Sequence, residues 1–350
     1  MKVLLSLMRG AIGLVLIFST ILIASAQRPA ESARIDRLIG LAKLWAAVKF
    51  FHPYLAYRDN IDWDAALIRA IPKVDAARTP AEYSAAIESM LGELGDPATH
   101  VLTAPSPAAA VNSSSSAERQ PTFRRNPDGV LVVAMTNCSD FQDFYGTREK
   151  LRALKKELPT AVVFDLRPAR TPSEPEQGMA SYGISGSGFA GVVSTVSLDM
   201  PGERRRMHVG YAPQDGTTSG DYSSGFYLQG RQPIKPESGA KDIPVVYLIG
   251  PNADLPDMAL GLQASGRAAV LVEGTFNEEV AVSTQIVELP DGVRAQIRLG
   301  ELVYGDGTSG FAPNLTVPAS GVKGDQNPAF QAAIQLAKTG KLAAVPRKAA

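Results

Sequence analysis

The chain is poor in the residues that ordinarily carry chemistry. Cys138 is its only cysteine, so no internal disulfide can form even in an oxidising compartment, and that thiol reads as a small buried hydrophobe beside a strand. The three histidines, His52, His100 and His208, fall in separate segments and make no His-x-His or His-Glu-x-x-His pattern. That excludes the familiar zinc spacings and leaves neither metal nor cofactor to expect. An excess of charge is missing too: Lys plus Arg and Asp plus Glu both number 35, a balance that argues against a nucleic-acid partner. The most telling absence is local. From Gly239 to Ala264 there is no Ser, Thr or Cys, and between Lys241 and Lys323 there is no Lys.

What is present begins with an export signal. Lys2 and Arg9 form a basic region, 11–24 is apolar, and Ala24-Ser25-Ala26 is a small-residue cleavage site, so residues 1–26 read as a signal peptide cleaved after Ala26. The expected destination lies across the inner membrane, in the periplasm. An uncleaved anchor is the alternative and the only membrane contact expected, although the apolar stretch is short for a bilayer span. Cleavage removes Lys2 and Arg9 and no acid, leaving two more acids than bases. With 45% hydrophobic residues, the remainder is long enough for one large core and a small accessory domain.

Residues 32–102 read as a small all-helical domain. Ile35, Leu38, Ile39, Ala42, Trp45, Val48 and Phe51 recur at helical spacing before His52-Pro53. Asp62 is placed to cap a second helix through Leu67, Ile68 and Ile71, which Pro72 ends or kinks. Thr79-Pro80-Ala81-Glu82 is a capping box, and Tyr83, Ile87, Leu91 and Leu94 form a third stripe before Gly95. Residues 103–121, rich in Pro, Ala and Ser without periodicity, read as a linker.

Residues 122–340 alternate strand and helix signals, as expected of an α/β domain. Strands are expected over 129–136 and 161–166, with a charged helix over 147–158 between them. Ser181 to Gly230, with dispersed glycines, reads as a loop, and Glu203 to His208 within it as an exposed basic strand edge with a solvated face. Residues 243–276 are the most structured part. Val245 to Ile249 is an apolar run without alternation, the mark of a central parallel strand. Gly250, Pro251 and Asn252 break it, Asp254 is placed to cap a helix reaching Gly266, and Ala268 to Val272 is the next strand. Open α/β sheets bind ligands beyond the carboxyl ends of their strands, so this turn stands where chemistry would be placed. Pro290-Asp291-Gly292 then marks a hairpin, and Asn327-Pro328 starts a last helix.

Leu262-Gln263, Gly266-Arg267-Ala268 and Thr275-Phe276, spaced as they are after the strand and turn, resemble the C-terminal processing, or tail-specific, serine peptidase family. Asp165-Leu166-Arg167 at the end of an earlier strand, Leu44 to Tyr54, Leu94-Gly95-Asp96 and Gly310 to Val317 extend the resemblance over roughly 35–337. The resemblance implies a crotonase-like α/β core preceded by the helical domain. It also implies where the reacting groups should stand: the nucleophilic Ser falls on Ala253 and the general-base Lys on Glu278. The glycines that normally follow Asp-Leu-Arg and admit oxyanion-binding N–H groups are replaced by Pro168-Ala169-Arg170. His100 sits shifted within the family's Gly-Asp-x-His-Thr-like loop, at the border of the cleft.

A serine peptidase needs a hydroxyl and a base beside it, and alanine has no oxygen to attack with. The chain is therefore expected to be a peptidase-like protein without hydrolytic chemistry. Its partner would be a peptide or an unfolded protein segment, held in a cleft beside Asp165, Arg167, Asn252, Ala253, Asp254 and Glu278. The competing expectation is an active serine-type endopeptidase with a displaced serine. The hydroxyl-dense Thr217 to Gly225 is a polar turn on the plain reading. On the sharper one, Ser219 and Ser223 line the pocket, or a serine of this stretch pairs with His208. Oligomeric state is left open.

Overall fold

The computed structural model describes residues 31–102, 122–134, 153, 157–167, 190–209, 222–250, 255, 257–276, 282–340, 345 and 348–349. The signal segment, the linker, Cys138, most of the helix expected over 147–158 and the turn 251–254 lie outside them. The chain forms two compact units.

The first unit joins the described part of Met1–Thr103 to Gln285–Ile297. Helix α1 spans 31–51. Helix α2, Trp63–Ala76, starts where Asp62 accepts a hydrogen bond from the Ala65 N–H, and it runs through Pro72 instead of ending there. Helix α3, Pro80–Leu91, opens on the full capping box: Thr79 accepts from the Glu82 N–H while Glu82 accepts from the Thr79 N–H. A short 3-10 turn carries the chain to Gly95, whose φ of 59° is the left-handed stop that glycine tolerates.

Two expected helix faces are corrected. In α1 the buried line is Arg37, Gly40, Leu41, Leu44 and Val48, while Ile35, Ile39 and Phe51 are exposed. In α2 it is Trp63, Ala66, Ala70 and Val74, with Ile68 and Ile71 exposed. The cause is tertiary. Strand β1, His100–Val101, pairs antiparallel with β10, Arg294–Arg298, and β9, Thr284–Glu288, completes a three-stranded sheet. The turn between β9 and β10 packs on Gly40: a Cβ there would meet Pro290 Cδ at 2.6 Å and Tyr83 Oη at 2.7 Å. Arg37 donates to Asp291 at 2.5 Å and to the Ala77 carbonyl at 2.7 Å. Asp291 itself holds a φ of 60°, beside Gly292 at 72°, the left-handed pair that suits Asp-Gly in a tight hairpin.

The second unit, Ala104–Thr284 with Arg298–Ala350, holds two sheets. The larger has the order β13-β8-β7-β4-β3-β2, with β2 Thr122–Arg125, β3 Val130–Ala134, β4 Ala161–Asp165, β7 Val245–Ile249, β8 Ala268–Glu273 and β13 Leu315–Val317. Only β2 runs antiparallel to its neighbour. All five residues of both β4 and β7 are buried, as the unbroken apolar runs require of strands covered on both faces. Alternate side chains serve opposite layers. Val162, Phe164, Tyr247, Ile249 and Val270 pack with Met258, Ala259 and Leu262 of helix α4, Asp257–Ala264. Val163, Val246, Leu248 and Leu271 pack with Ala329, Phe330, Ala333 and Ala337 of helix α5, Pro328–Thr339. Asn327 caps α5 through the Phe330 N–H at 2.9 Å.

The smaller sheet is antiparallel, ordered β14-β12-β11-β5-β6, with β5 Gly202–Val209, β6 Ser223–Gln229, β11 Gly300–Val303, β12 Thr308–Ser309 and β14 Lys348–Ala349. This corrects the loop expected over 181–230, part of which forms β5 and β6, the two longest strands among the described residues. The basic run is not a solvated edge either. β5 lies between β11 and β6, and Arg204, Arg205 and Arg206 are all half-buried. The strand itself stands where Glu203 to His208 was expected as one, but three arginines in succession carry no sign that neighbours pair on both of its sides. Among the described residues no helix is long and apolar enough to cross a membrane.

Candidate functional site

The carboxyl ends of the parallel strands converge on one ion network. Asp165 is the last residue of β4, and Arg167 follows it by two; the guanidinium turns back to donate to both Asp165 oxygens, at 2.8 and 2.7 Å. Its remaining nitrogen donates at 2.7 Å to Glu273, the last residue of β8. Glu273 in turn accepts from the Asn327 side-chain amide at 2.7 Å and from the Ser320 N–H at 3.2 Å. The network thus ties β4 and β8 to the cap of α5. Side-chain exposure is 16% for Arg167, 10% for Asp165 and 13% for Glu273, so water screens these contacts little.

The charges settle accordingly. Burial alone would pull the Arg167 guanidinium down, but hydrogen bonds and attraction from Asp165 and Glu273 outweigh it and hold it well above its ordinary range. Burial alone would raise the Glu273 carboxyl, but the Asn327 amide, Arg167 and the Ser320 N–H together hold it below the usual value.

A cavity of about 540 Å³ opens beside this network, lined by Thr122 and Arg124 of β2, by Asp165, Arg167 and Glu273, and by Lys323, Asp325 and Phe330. Arg124 is paired bidentately with Asp325. Gly250, the first residue after β7, abuts Arg167, since a Cβ there would lie 3.6 Å from the Arg167 carbonyl oxygen. The turn with the missing hydroxyls therefore leaves the sheet next to the network. The cavity offers paired charges, an aromatic wall and the hydroxyls of Thr122 and Ser320. The Ser320 hydroxyl already accepts from the Val322 N–H, Asp165 and Glu273 are paired with Arg167, and Asp325 is paired with Arg124. Such a site can hold a polar chain; among the described residues no hydroxyl and base are assembled in it for acyl transfer.

Of the residues expected at the site, Asp165 and Arg167 are paired with each other, while Asn252, Ala253, Asp254, Glu278 and Ser219 lie outside the described residues. Ser223 is placed on β6 opposite Val209, away from the cavity lining. Its neighbour Ser224 is the one that meets His208: the strands put them in register, with His208 Nδ1 at 2.7 Å from Ser224 Oγ and the Tyr222 ring stacked on the imidazole at 5.9 Å. Ser224 is exposed. Recognition of the β5–β6 hairpin would have revealed this pair through its parity; Glu273 had no local signal, because it joins the site only through the β4-β7-β8 adjacency.

The other histidines hold structure. His52 is fully buried, its Nδ1 accepts from the Tyr54 N–H at 3.2 Å, and Nε2 lies 3.0 Å from Asp96 Oδ2 and 3.1 Å from Thr99 Oγ1. Thr99 donates to the same Asp96 oxygen at 2.7 Å. His100 stands on β1 in the first unit, with Nδ1 3.1 Å from the Pro97 carbonyl.

No family model and no curated protein matches the chain. Solved structures do. The chain is similar to mature CPAF complexed with lactacystin, at 10% identity and a TM-score of 0.54 over 89% of this chain and 98% of that one. It is also similar to a candidate peptidase from Parabacteroides merdae, at 14% identity and a TM-score of 0.53 over 87% and 96%. The photosystem II D1 C-terminal processing protease superposes more loosely, with a TM-score of 0.43 at 12% identity over 81% and 93%. The first two likenesses establish the fold alone, a mixed α/β architecture shared with each of those proteins over nearly its whole length.

Proposed function

We propose that this chain is a tail-specific peptidase-like protein, with a crotonase-like core, that is exported to the periplasm and binds peptides or unfolded protein segments without cleaving them. One observation carries the reading. The resemblance puts the family nucleophile and base on Ala253 and Glu278, and the absence of Ser, Thr and Cys over 239–264 and of Lys over 242–322 leaves no such residue nearby in the sequence to replace either. The Asp165-Arg167-Glu273 network supports it further, because Glu273, held below its usual value by the Asn327 amide, Arg167 and the Ser320 N–H, is a poor proton acceptor. An extended ligand would lie along the cavity beside Arg124 and Phe330 and form main-chain hydrogen bonds to a sheet edge. The test is to titrate a labelled unfolded casein with the purified full chain. Rising anisotropy with no new fragments supports the proposal, and degradation of the casein overturns it.

The His208–Ser224 contact favours a second reading, a serine-type endopeptidase with a displaced nucleophile. That reading requires casein hydrolysis that disappears in both Ser224→Ala and His208→Ala. Hydrolysis that persists in either variant excludes this pair.

A further inference from the structure

The outer edge of β6 is unusual for a soluble sheet. All seven residues from Ser223 to Gln229 are exposed and none is charged or proline. Among the described residues no strand lies on the outer side of β6. Natural edges are normally blunted by shortness, charge or proline, because their free N–H and C=O groups template further pairing. The other sheet obeys that rule: its edges β2 and β13 are four and three residues long, and β2 carries Arg124 and Arg125. β6 instead presents Phe226, Tyr227 and Leu228 at 41%, 42% and 60% exposure.

We propose that β6 pairs antiparallel with β6 of a second copy of this chain about a two-fold axis at Phe226, joining two five-stranded sheets into one. The register is self-complementary. It sets Ser223 opposite the partner's Gln229, Ser224 opposite the partner's Leu228, and Gly225 opposite the partner's Tyr227, with no like charges facing each other. A Cβ at Gly225 would find nothing within 4 Å, so the partner's Tyr227 ring has open space to cover that glycine, twice by symmetry. Phe226 meets its own counterpart, with Arg204 5.4 Å over the ring on the inner side. The arginines do not oppose the pairing. Arg206, opposite Phe226 on β5, would stand three strand spacings, roughly 14 Å, from its symmetry mate, beyond the Debye length of about 8 Å at physiological salt. Arg204 and Arg205 are engaged by Glu301 and Glu203 at 2.9 Å each, so the surroundings of the edge do not call for an acidic partner. A second copy, which supplies the same uncharged strand, fits better than a foreign anionic chain.

The test is sedimentation velocity of the full chain with Phe226→Lys and Phe226→Glu, each of which places like charges directly across the axis. The wild type is expected as a dimer. Each variant alone is expected as a monomer with unchanged circular dichroism, and an equimolar mixture of the two should re-form the dimer in a salt-sensitive way. A monomeric wild type, variants that still dimerise, variants that lose their fold, or a mixture that stays monomeric would overturn the proposal. Its outcome is independent of whether the cleft binds or cleaves peptides.

Discussion

Arg167 is the residue on which the candidate site turns. It is the single cation between Asp165 and Glu273, and all three side chains are at most 16% exposed. Its removal would leave two carboxylates facing each other in a poorly screened place. Arg167→Met is therefore expected to destabilise the chain by about 3–5 kcal/mol, read from the midpoint of urea unfolding. The same network sets an acid limit. Glu273 has a folded-state pKa below its ordinary value, so the unfolded chain binds the more protons and stability rises with pH. The contribution is fully present above the ordinary carboxylate range, near pH 4.3, and is lost as pH falls through the lower folded value. Glu273→Gln should lower stability at neutral pH and flatten the acid side of the stability profile, measured by thermal melts from neutral to acid. An unchanged profile would mean that Glu273 gains nothing from Arg167 and Asn327. Half of this network was legible in the sequence. Asp165-Leu166-Arg167 announced itself as a strand end, whereas Glu273 needed the sheet order that only long-range pairing supplies.

At the scale of elements, local signals were reliable where caps and unbroken apolar runs decide the structure. The Thr79 capping box, the Asp62 and Asn327 caps and the buried strands β4 and β7 follow directly from short stretches of sequence. The faces of α1 and α2 did not, since each helix carries two apolar stripes and tertiary neighbours decide which is covered, the distant hairpin for α1 and α3 for α2. Gly40 is the pivot of that choice, where Pro290 and Tyr83 approach too closely for any Cβ. Gly40→Ala should cost about 1–3 kcal/mol through overpacking, despite the higher helix propensity of alanine. Faster amide exchange in β9 and β10 would accompany the loss. A stabilised Gly40→Ala would show that the hairpin does not pack on α1 as described.

At the scale of the whole molecule, the first unit is discontinuous: 31–102 are completed by Gln285–Ile297, which returns to pair β10 with β1. No periodicity in the sequence announces such a return, which is why residues 32–102 read as self-contained and all-helical. The larger unit has the mixed α/β fold it shares with the solved structures, and under the proposed function Ala253 and Glu278 stand where the resemblance expects the nucleophile and the base. The strand-end network borders one cavity, the proposed binding cleft, and the proposed pairing through β6 would place two such cavities in one assembly. The central proposal is that the chain has no serine nucleophile. Labelling of the folded full chain by an active-site-directed fluorophosphonate tests it most directly. The account predicts incorporation no higher than in the denatured chain, and stoichiometric labelling of a single serine in the folded chain would contradict it.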